Sequence, residues 1–446
     1  MSMLINIDEK PKKWYQWILY SLQHVLALFT ANTLISIIVF NSYEMVPAAL
    51  VSAGVGTIFY LIITHFRSPV FLGSSAGLLP LMTTAFAFGC ESGRGNYLAL
   101  ILGLIIVGII YIIVGLIINF TGTKWINKLL PPIVTGPVIM VIGLGLATYA
   151  VQWSQSNLIT GGTYNIWAVI VALFSMIITL FVAHHGKDIL KTMSYLIGIG
   201  SGYLLCLIFY LVGYLTDNSN LYLIDFQIFN NINWIPQFGI EMAVKNLSYF
   251  NISQLVPIIL IAIPVSFITI CEHIGDHLNV SSITGRNLLI DPGLGKTLIG
   301  DGIGTICGGL IGGMGNTTYG ENSSVISVTK VASSRVIFSG AILAILLGFC
   351  APLMAFIQSI PVCVFGGISL ILYGAIAVSG FKQLQQVDLS DNKNLMIISV
   401  VLITGIGGLM LDFKCFNLES TVLAMVLGVI LNLILKDKKS VDEAKK

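Results

Sequence analysis

The feature that most constrains this chain is its series of apolar stretches, each near the length that crosses a bilayer. They lie near 17–40, 45–65, 70–88, 97–119, 131–152, 166–183, 193–215, 254–275, 297–311, 317–331, 335–357, 361–379, 394–410 and 418–435. A spanning helix needs about 20 mostly apolar residues, so the pattern predicts an all-α polytopic membrane protein of about fourteen spans. Only 9% of the 446 residues are charged, against roughly 25% in soluble domains. That is too few to clothe a water-facing surface. The net charge of +2 carries no basic patch, stacking platform or P-loop, so neither nucleic-acid binding nor ATP hydrolysis is expected. Seven cysteines without a CxxC pair read as small packing residues. The first apolar run is too long for the h-region of a cleavable signal.

Lys and Arg set the expected orientation. With the N-terminus in the cytoplasm and strict alternation, 19 of the 22 basic residues fall on the cytoplasmic side, and Arg94, Lys245 and Lys414 fall outside. The positive-inside rule predicts such a bias. One missed span would invert every later loop, so the count also favours an even number. The longest polar segment, about 216–253, then lies outside and reads as a connector at the interface. Seven spans precede it and seven follow.

The two sets of seven share landmarks. The fifth span opens with Pro131 and Gly136, the twelfth with Pro361 and Gly366 at the same spacing. The third and tenth spans are the two interrupted ones. Two sets of seven must insert with opposite topology, which is the inverted-repeat plan of secondary transporters. There, interrupted segments in matching positions point to the substrate site.

The interruptions read FLGSSAGLLP and GGMGNTTYGEN. Extended backbone at membrane depth is tolerated only where protein buries it or it lines a cavity. If each piece leads into a half-helix, two helix N-termini meet near the midplane and offer free N–H groups to a small polar ligand. Glu321 then sits in the first turn of one half-helix. A carboxylate at this depth is costly and marks function more than capping. The eighth span carries ITICEHIGDHLNV. Glu272 and Asp276 are four residues apart and share a face; His273 and His277 form a second such pair, read as structural. The order is not HExxH, and no metal site is expected. His24, in LQHVLALFTAN, and Asp301, in LIGDGIGT, are embedded and read as packing or supporting groups.

EHIGDHLNVSSITGRNLLIDPGLGKTLIGDGIGT followed by GGLIGGMGNTTYGENSSVISVTK resembles the nucleobase–ascorbate transporters, the nucleobase:cation symporter-2 family, and within it the bacterial uracil permeases. The likeness runs over essentially the whole chain. It implies fourteen segments as 7+7 inverted repeats, with short antiparallel strands in the third and tenth. It implies a core domain at 1–130 and 254–358, a gate domain at 131–216 and 359–435, an outer connector at 217–253 and a cytoplasmic tail at 436–446. By resemblance, Glu272 and Glu321 bind substrate, Gly320 and Ala76 supply backbone contacts, and Ala31 and Tyr373 line the pocket. Asn322 is the motif Asn after the second Glu. Three departures stand out. Ser324 replaces a Gly, Asp276 stands where uracil permeases often carry His, and Ala76 stands where they tend to carry Phe. Asp276 is like the purine branch; Glu321-Asn322 is like the uracil branch.

The expected activity is import of uracil by proton symport across the plasma membrane, with xanthine or another purine as the alternative. Two carboxylates around a neutral base in low dielectric favour retention of a proton by at least one, and Asp276 and His24 are candidates to relay or stabilise it. Na⁺ coupling stays open. No cofactor and no enzymatic chemistry are expected. An anion transporter, a channel and an intramembrane enzyme fit the residues less well: two carboxylates would repel an anion, and no nucleophile–base pair is visible. The family often dimerises through its gate domain, so a homodimer is one arrangement the resemblance allows.

Overall fold

The computed structural model describes residues 3–88, 95–157, 159, 162, 164–187, 189–230, 232, 234–385, 387–412 and 417–435, apart from the side chains of Thr30, Ala31, Asn127, Ile189, Thr192 and Asn417. The expected tail 436–446 lies outside them. The order is α1 (Trp14–Phe40), α2 (Val46–Ile63), β1 (Leu72–Ser74), α3 (Leu79–Ala87), α4 (Tyr97–Thr121), α5 (Lys124–Leu129), α6 (Pro132–Gly145), α7 (Ala147–Gln155), α8 (Ile166–His185), α9 (Ile189–Thr192) and α10 (Ser194–Thr216). The second part runs α11 (Gly239–Lys245), α12 (Leu255–Thr284), α13 (Leu294–Gly312), β2 (Asn316–Thr318), α14 (Gly320–Thr329), α15 (Ser334–Gly348), α16 (Ala351–Gln358), α17 (Val362–Leu384), α18 (Asn392–Ile406), β3 (Leu411–Asp412), β4 (Asn417–Leu418) and α19 (Ser420–Ile434).

The apolar runs become helices of unequal kind. Among the described residues, eight are long and apolar enough to cross a membrane, or nine if α15 and α16 count as one span. Those two meet at a 78° bend, where the sequence suggested one span over 335–357. The segments Ala76–Ala87, Asn392–Ile406 and Ser420–Ile434 are apolar but shorter. The run at 297–311 becomes α13, which holds Lys296 and Asp301, and α14 is ten residues long. The eighth run extends well past residue 275, to Thr284, which puts the whole EHIGDH motif on one helix.

Two groups of helices emerge from the packing. One joins α1, α2, α3, α4, α12, α13, α14 and α15; the other joins α6, α7, α8, α10, α17, α18 and α19. Small residues let the first group close up. A Cβ on Gly302 of α13 would stand 2.6 Å from the Gly108 carbonyl oxygen of α4, so only Gly permits this crossing. In the second group α8 and α10 turn Ile177, Phe181, Leu204 and Leu211 outward. An unbroken apolar surface of this kind suits lipid rather than water. The connector does not lie free: α11 packs on α4 and α13.

At the end carrying the α12–α13 loop, a strap formed by residues 4–9 runs beside the α14–α15 turn. Ile5 bridges Val331 in parallel, and Ala332 and Ser334 donate to the carbonyls of Ile5 and Ile7 at 2.9 and 3.1 Å. Arg286 fastens the strap through Asp8 at 2.9 Å and also binds Asp291, which Arg67 reaches at 2.9 Å. The Arg286 and Arg67 guanidiniums hold the Asp291 carboxyl below the usual carboxylate range.

Candidate functional site

Two broken segments meet at the centre of the first group. β1 and β2 pair antiparallel, with Leu72 opposite Thr318, Gly73 opposite Thr317 and Ser74 opposite Asn316. Flanking bonds extend the ladder, Tyr319 N–H to the Phe71 carbonyl at 3.1 Å and Ser75 N–H to the Gly315 carbonyl at 3.3 Å. Three-residue strands have open edges, and open edges cannot face lipid. Side chains of neighbouring helices close them. Asn32 of α1 accepts from Ser74 N–H at 2.9 Å, Thr57 of α2 accepts from Leu72 N–H at 3.0 Å, and Thr305 of α13 donates to the Asn316 carbonyl at 2.6 Å. The polar backbone is thereby satisfied inside protein.

Each strand leads into a short helix. After β1 comes a tight turn, Ala76–Leu78, then α3; after β2 comes α14, beginning at Gly320. The free N–H groups at both starts carry partial positive charge. Helix α12 lays one carboxylate against each start. The Glu272 carboxylate lies 3.0 Å from where a Cβ on Gly77 would be, and the Asp276 carboxylate lies 3.1 Å from where a Cβ on Gly320 would be. Larger residues at these glycines would push the carboxylates away. Ser75 fixes Glu272 in place. Its hydroxyl accepts from Gly77 N–H at 3.0 Å and donates to Glu272 Oε2 at 2.8 Å.

Glu321 is the second residue of α14, half-buried and within electrostatic reach of Glu272. Its neighbour Asn322 turns the other way and meets His24 of α1, Oδ1 to Nδ1 at 2.8 Å. That bond ties α1 to α14. Ala76 is half-buried at the first turn after β1, and Tyr373 is buried on α17, in the opposite group. Ala31 falls within α1, but its side chain is outside the described residues.

Asp301 stands one layer behind. It is fully buried, bonded to His273 Nδ1 at 2.6 Å and to the Thr317 hydroxyl at 2.7 Å. It therefore anchors β2 to α12 and α13 and touches the site through them. His273 stacks on His277 at 4.1 Å between ring centres, and His277 Nε2 meets the Tyr60 hydroxyl at 2.7 Å. Both histidines thus serve helix packing. Among the described residues no three His, Cys, Asp or Glu side chains gather as a metal would require.

Two contributors have no signal in the sequence reading. Ser75 stands there only as part of the interrupted stretch FLGSSAGLLP, and its partner Glu272 is 197 positions away. Tyr195, at the start of α10 in the opposite group, lies within electrostatic reach of Glu321; it looks in the sequence like any aromatic at a helix end.

Two half-helix starts and three carboxylates form a polar centre enclosed by apolar helices, the arrangement of a polytopic membrane permease. Residues 15–413 match the profile of the permease family Xan_ur_permease, and the chain belongs to that family, the nucleobase:cation symporter-2 family. It is 36% identical to the uracil permease of Bacillus caldolyticus, over 99% of this chain and 96% of that one. It is also 36% identical to the uracil permease of Bacillus subtilis, over 95% and 94%. The putative pyrimidine permease RutG of Escherichia coli is 33% identical, over 93% and 88%. In fold the chain is similar to the transmembrane domain of a cyanobacterial bicarbonate transporter, BicA, at TM-score 0.62 and 15% identity over 96% of this chain and 99% of that one. Murine Slc26a9, an anion transporter, gives TM-score 0.61 at 10% identity over 96% and 69%. The chain is thus a multi-pass membrane permease of a nucleobase transporter family, and not an enzyme.

Proposed function

We propose that this chain carries uracil into the cell across the plasma membrane together with a proton, by alternating access. One observation supports this above the others: Glu272 and Glu321 converge at the starts of two half-helices. Uracil is a flat ring with two N–H donors and two carbonyl acceptors. Carboxylates accept from the ring N–H groups, and helix-start N–H groups of Ala76 and Gly320 donate to the carbonyls. Relatives named uracil permeases at 36% identity favour the same substrate.

In this reading the chain forms fourteen segments as two inverted sets of seven, with both termini in the cytoplasm. Segments 1–4 and 8–11 are a core that carries the site, and segments 5–7 and 12–14 are a gate. The core moves against the gate to expose the site to each side in turn. A proton shared among Glu272, Glu321 and Asp276 neutralises part of the charge when the base is bound, and His24 steadies Asn322 beside them. Assembly as a homodimer through the gate belongs to the same reading.

A second reading, a xanthine or other purine symporter, is favoured by one feature. Asp276 lies against the start of α14 and Ala76 is small, which leaves room for a second ring. Uptake of radiolabelled uracil into proteoliposomes under an imposed proton gradient, with Na⁺ present or absent and excess xanthine as competitor, separates the readings. Gradient-driven uptake indifferent to xanthine and Na⁺ is expected. Xanthine accumulation without uracil uptake would overturn the substrate, and dependence on Na⁺ would overturn the coupling ion.

A further inference from the structure

Glu419 is a carboxylate with no part in the site above. It precedes α19, in the second helix group, yet it bonds to α3 of the first. Thr84 Oγ1 donates to Glu419 Oε1 at 2.9 Å. Thr83 also faces it, but at 3.4 Å, and the Thr83 hydroxyl is already committed to the Leu79 carbonyl at 2.8 Å. Thr84 is therefore the effective partner. The bond crosses between the groups at the connector end of the molecule. There α3 ends near Asn96, whose side chain donates to the Tyr249 carbonyl of the connector and to Gln254 just after it. A second bond crosses the same boundary at that end, from the Tyr43 hydroxyl to the Ile360 carbonyl at 3.2 Å. A half-buried carboxylate beside apolar helices is costly to keep. Among the described residues, its one strong neutral donor sits on the half-helix whose other end carries Ser75 and Ala76.

We infer that Glu419 is a latch: its bond to Thr84 holds the connector end of the boundary closed over α3, and the bond breaks each time the site opens to that side. The inference rests on the proposal that the two groups move against each other. A helix pair held by apolar packing alone can slide gradually. A single hydrogen bond from a hydroxyl to a carboxylate is made or lost within about 1 Å of travel, because O–H···O bonds span about 2.5–3.0 Å and a contact of about 3.6 Å no longer counts as one. The bond thus gives the closed arrangement a defined position.

The test reads access rather than transport. In intact cells expressing the full chain with Ala76→Cys, a membrane-impermeant maleimide is applied outside and the labelled peptide is quantified by mass spectrometry. Thr84→Val and Glu419→Ala are each expected to raise the labelling rate at least fivefold, while Thr83→Val stays within twofold of the parent. Thr84→Val labelling at the parental rate, or Thr83→Val labelling as fast as Thr84→Val, would overturn the latch. If Glu419→Ala fails to reach the membrane, the two threonine variants still decide. A disulfide between Thr84→Cys and Glu419→Cys is expected to stop uptake reversibly, with recovery on reduction; uptake unaffected by the closed disulfide would also overturn it. Absence of uracil uptake by the chain that keeps Ala76 would refute the substrate reading alone, since labelling needs no substrate.

Discussion

Ser75→Ala is the sharpest probe of how the site holds Glu272. The serine hydroxyl has one proton to give. Because its oxygen already accepts from Gly77 N–H at 3.0 Å, that proton goes to Glu272 Oε2 at 2.8 Å. Glu272 is thereby kept as an acceptor aimed beside the first turn of α3. Alanine deletes the link and leaves Glu272 free to choose other rotamers. A hydrogen bond to a charged group contributes about 1.5–3 kcal/mol, and every 1.4 kcal/mol is about tenfold in affinity. The empty site bears part of the same loss, so the lower end applies to binding: uracil affinity should fall about tenfold. Equilibrium binding of radiolabelled uracil to purified protein measures it directly. Ser74→Ala supplies the control. Among the described residues the Ser74 hydroxyl meets only Met314 Sδ, at 3.9 Å, so affinity should stay within about twofold, since so long a contact is weak. Equal affinities for Ser75→Ala and the parent would refute the reasoning, as would equal losses for Ser75→Ala and Ser74→Ala.

Further outcomes follow from the same geometry. Glu272→Gln and Glu321→Gln should each abolish or severely reduce uracil uptake while surface expression persists; normal uptake by either would remove that residue from the site. Asp301→Asn should lower the melting temperature in detergent, because the His273 and Thr317 bonds lose a charged acceptor, a loss of about 1–3 kcal/mol; an unchanged melting curve would show that Asp301 does not anchor β2. Asp291 is held below its ordinary range by Arg286 and Arg67. Its stabilising contribution is therefore fully present above the unfolded value, about 3.9, and is lost as pH falls through the lowered folded value. The pair is more than a third exposed on the Asp291 side, so screening limits the effect to about 1 kcal/mol or less. Asp291→Asn should flatten that acid limb in a pH series of melting temperatures, and an unaltered limb would assign it to other carboxylates.

Much of this architecture was legible because it is written locally. Apolar runs mark helices, and Gly-rich interruptions mark where the backbone leaves the helix, so the regions around 72–78 and 313–320 stand out in the sequence. Glu272 and Glu321 were legible because a carboxylate in an apolar run has no cheap explanation. What escaped is written at long range. Ser75 gains its meaning from Glu272, and Thr84 from Glu419, 335 positions away; no periodicity connects such pairs. The strap at residues 4–9 carries no signal in the sequence, since a single bridge such as Ile5 to Val331 has no pattern of its own. The 78° bend after Gly348 was hidden because both sides are equally apolar, and hydropathy does not report direction.

The pairing of β1 with β2 has a consequence for how the chain is made. Leu72–Ser74 and Asn316–Thr318 are partners, yet a ribosome adding 5–20 residues per second separates their synthesis by roughly 10–50 s. Through that interval the first strand has its own carbonyls and N–H groups and no ladder to spend them on. Unpaired backbone is not tolerated in hydrocarbon. The Gly-Ser-Ser segment must therefore wait in the translocation machinery, in water at the membrane surface, or against the hydroxyls and amides of α1 and α2. Closure of this polar centre is then one of the last events of assembly, and a chain stopped short of residue 318 carries an open edge where the finished protein carries a paired ladder.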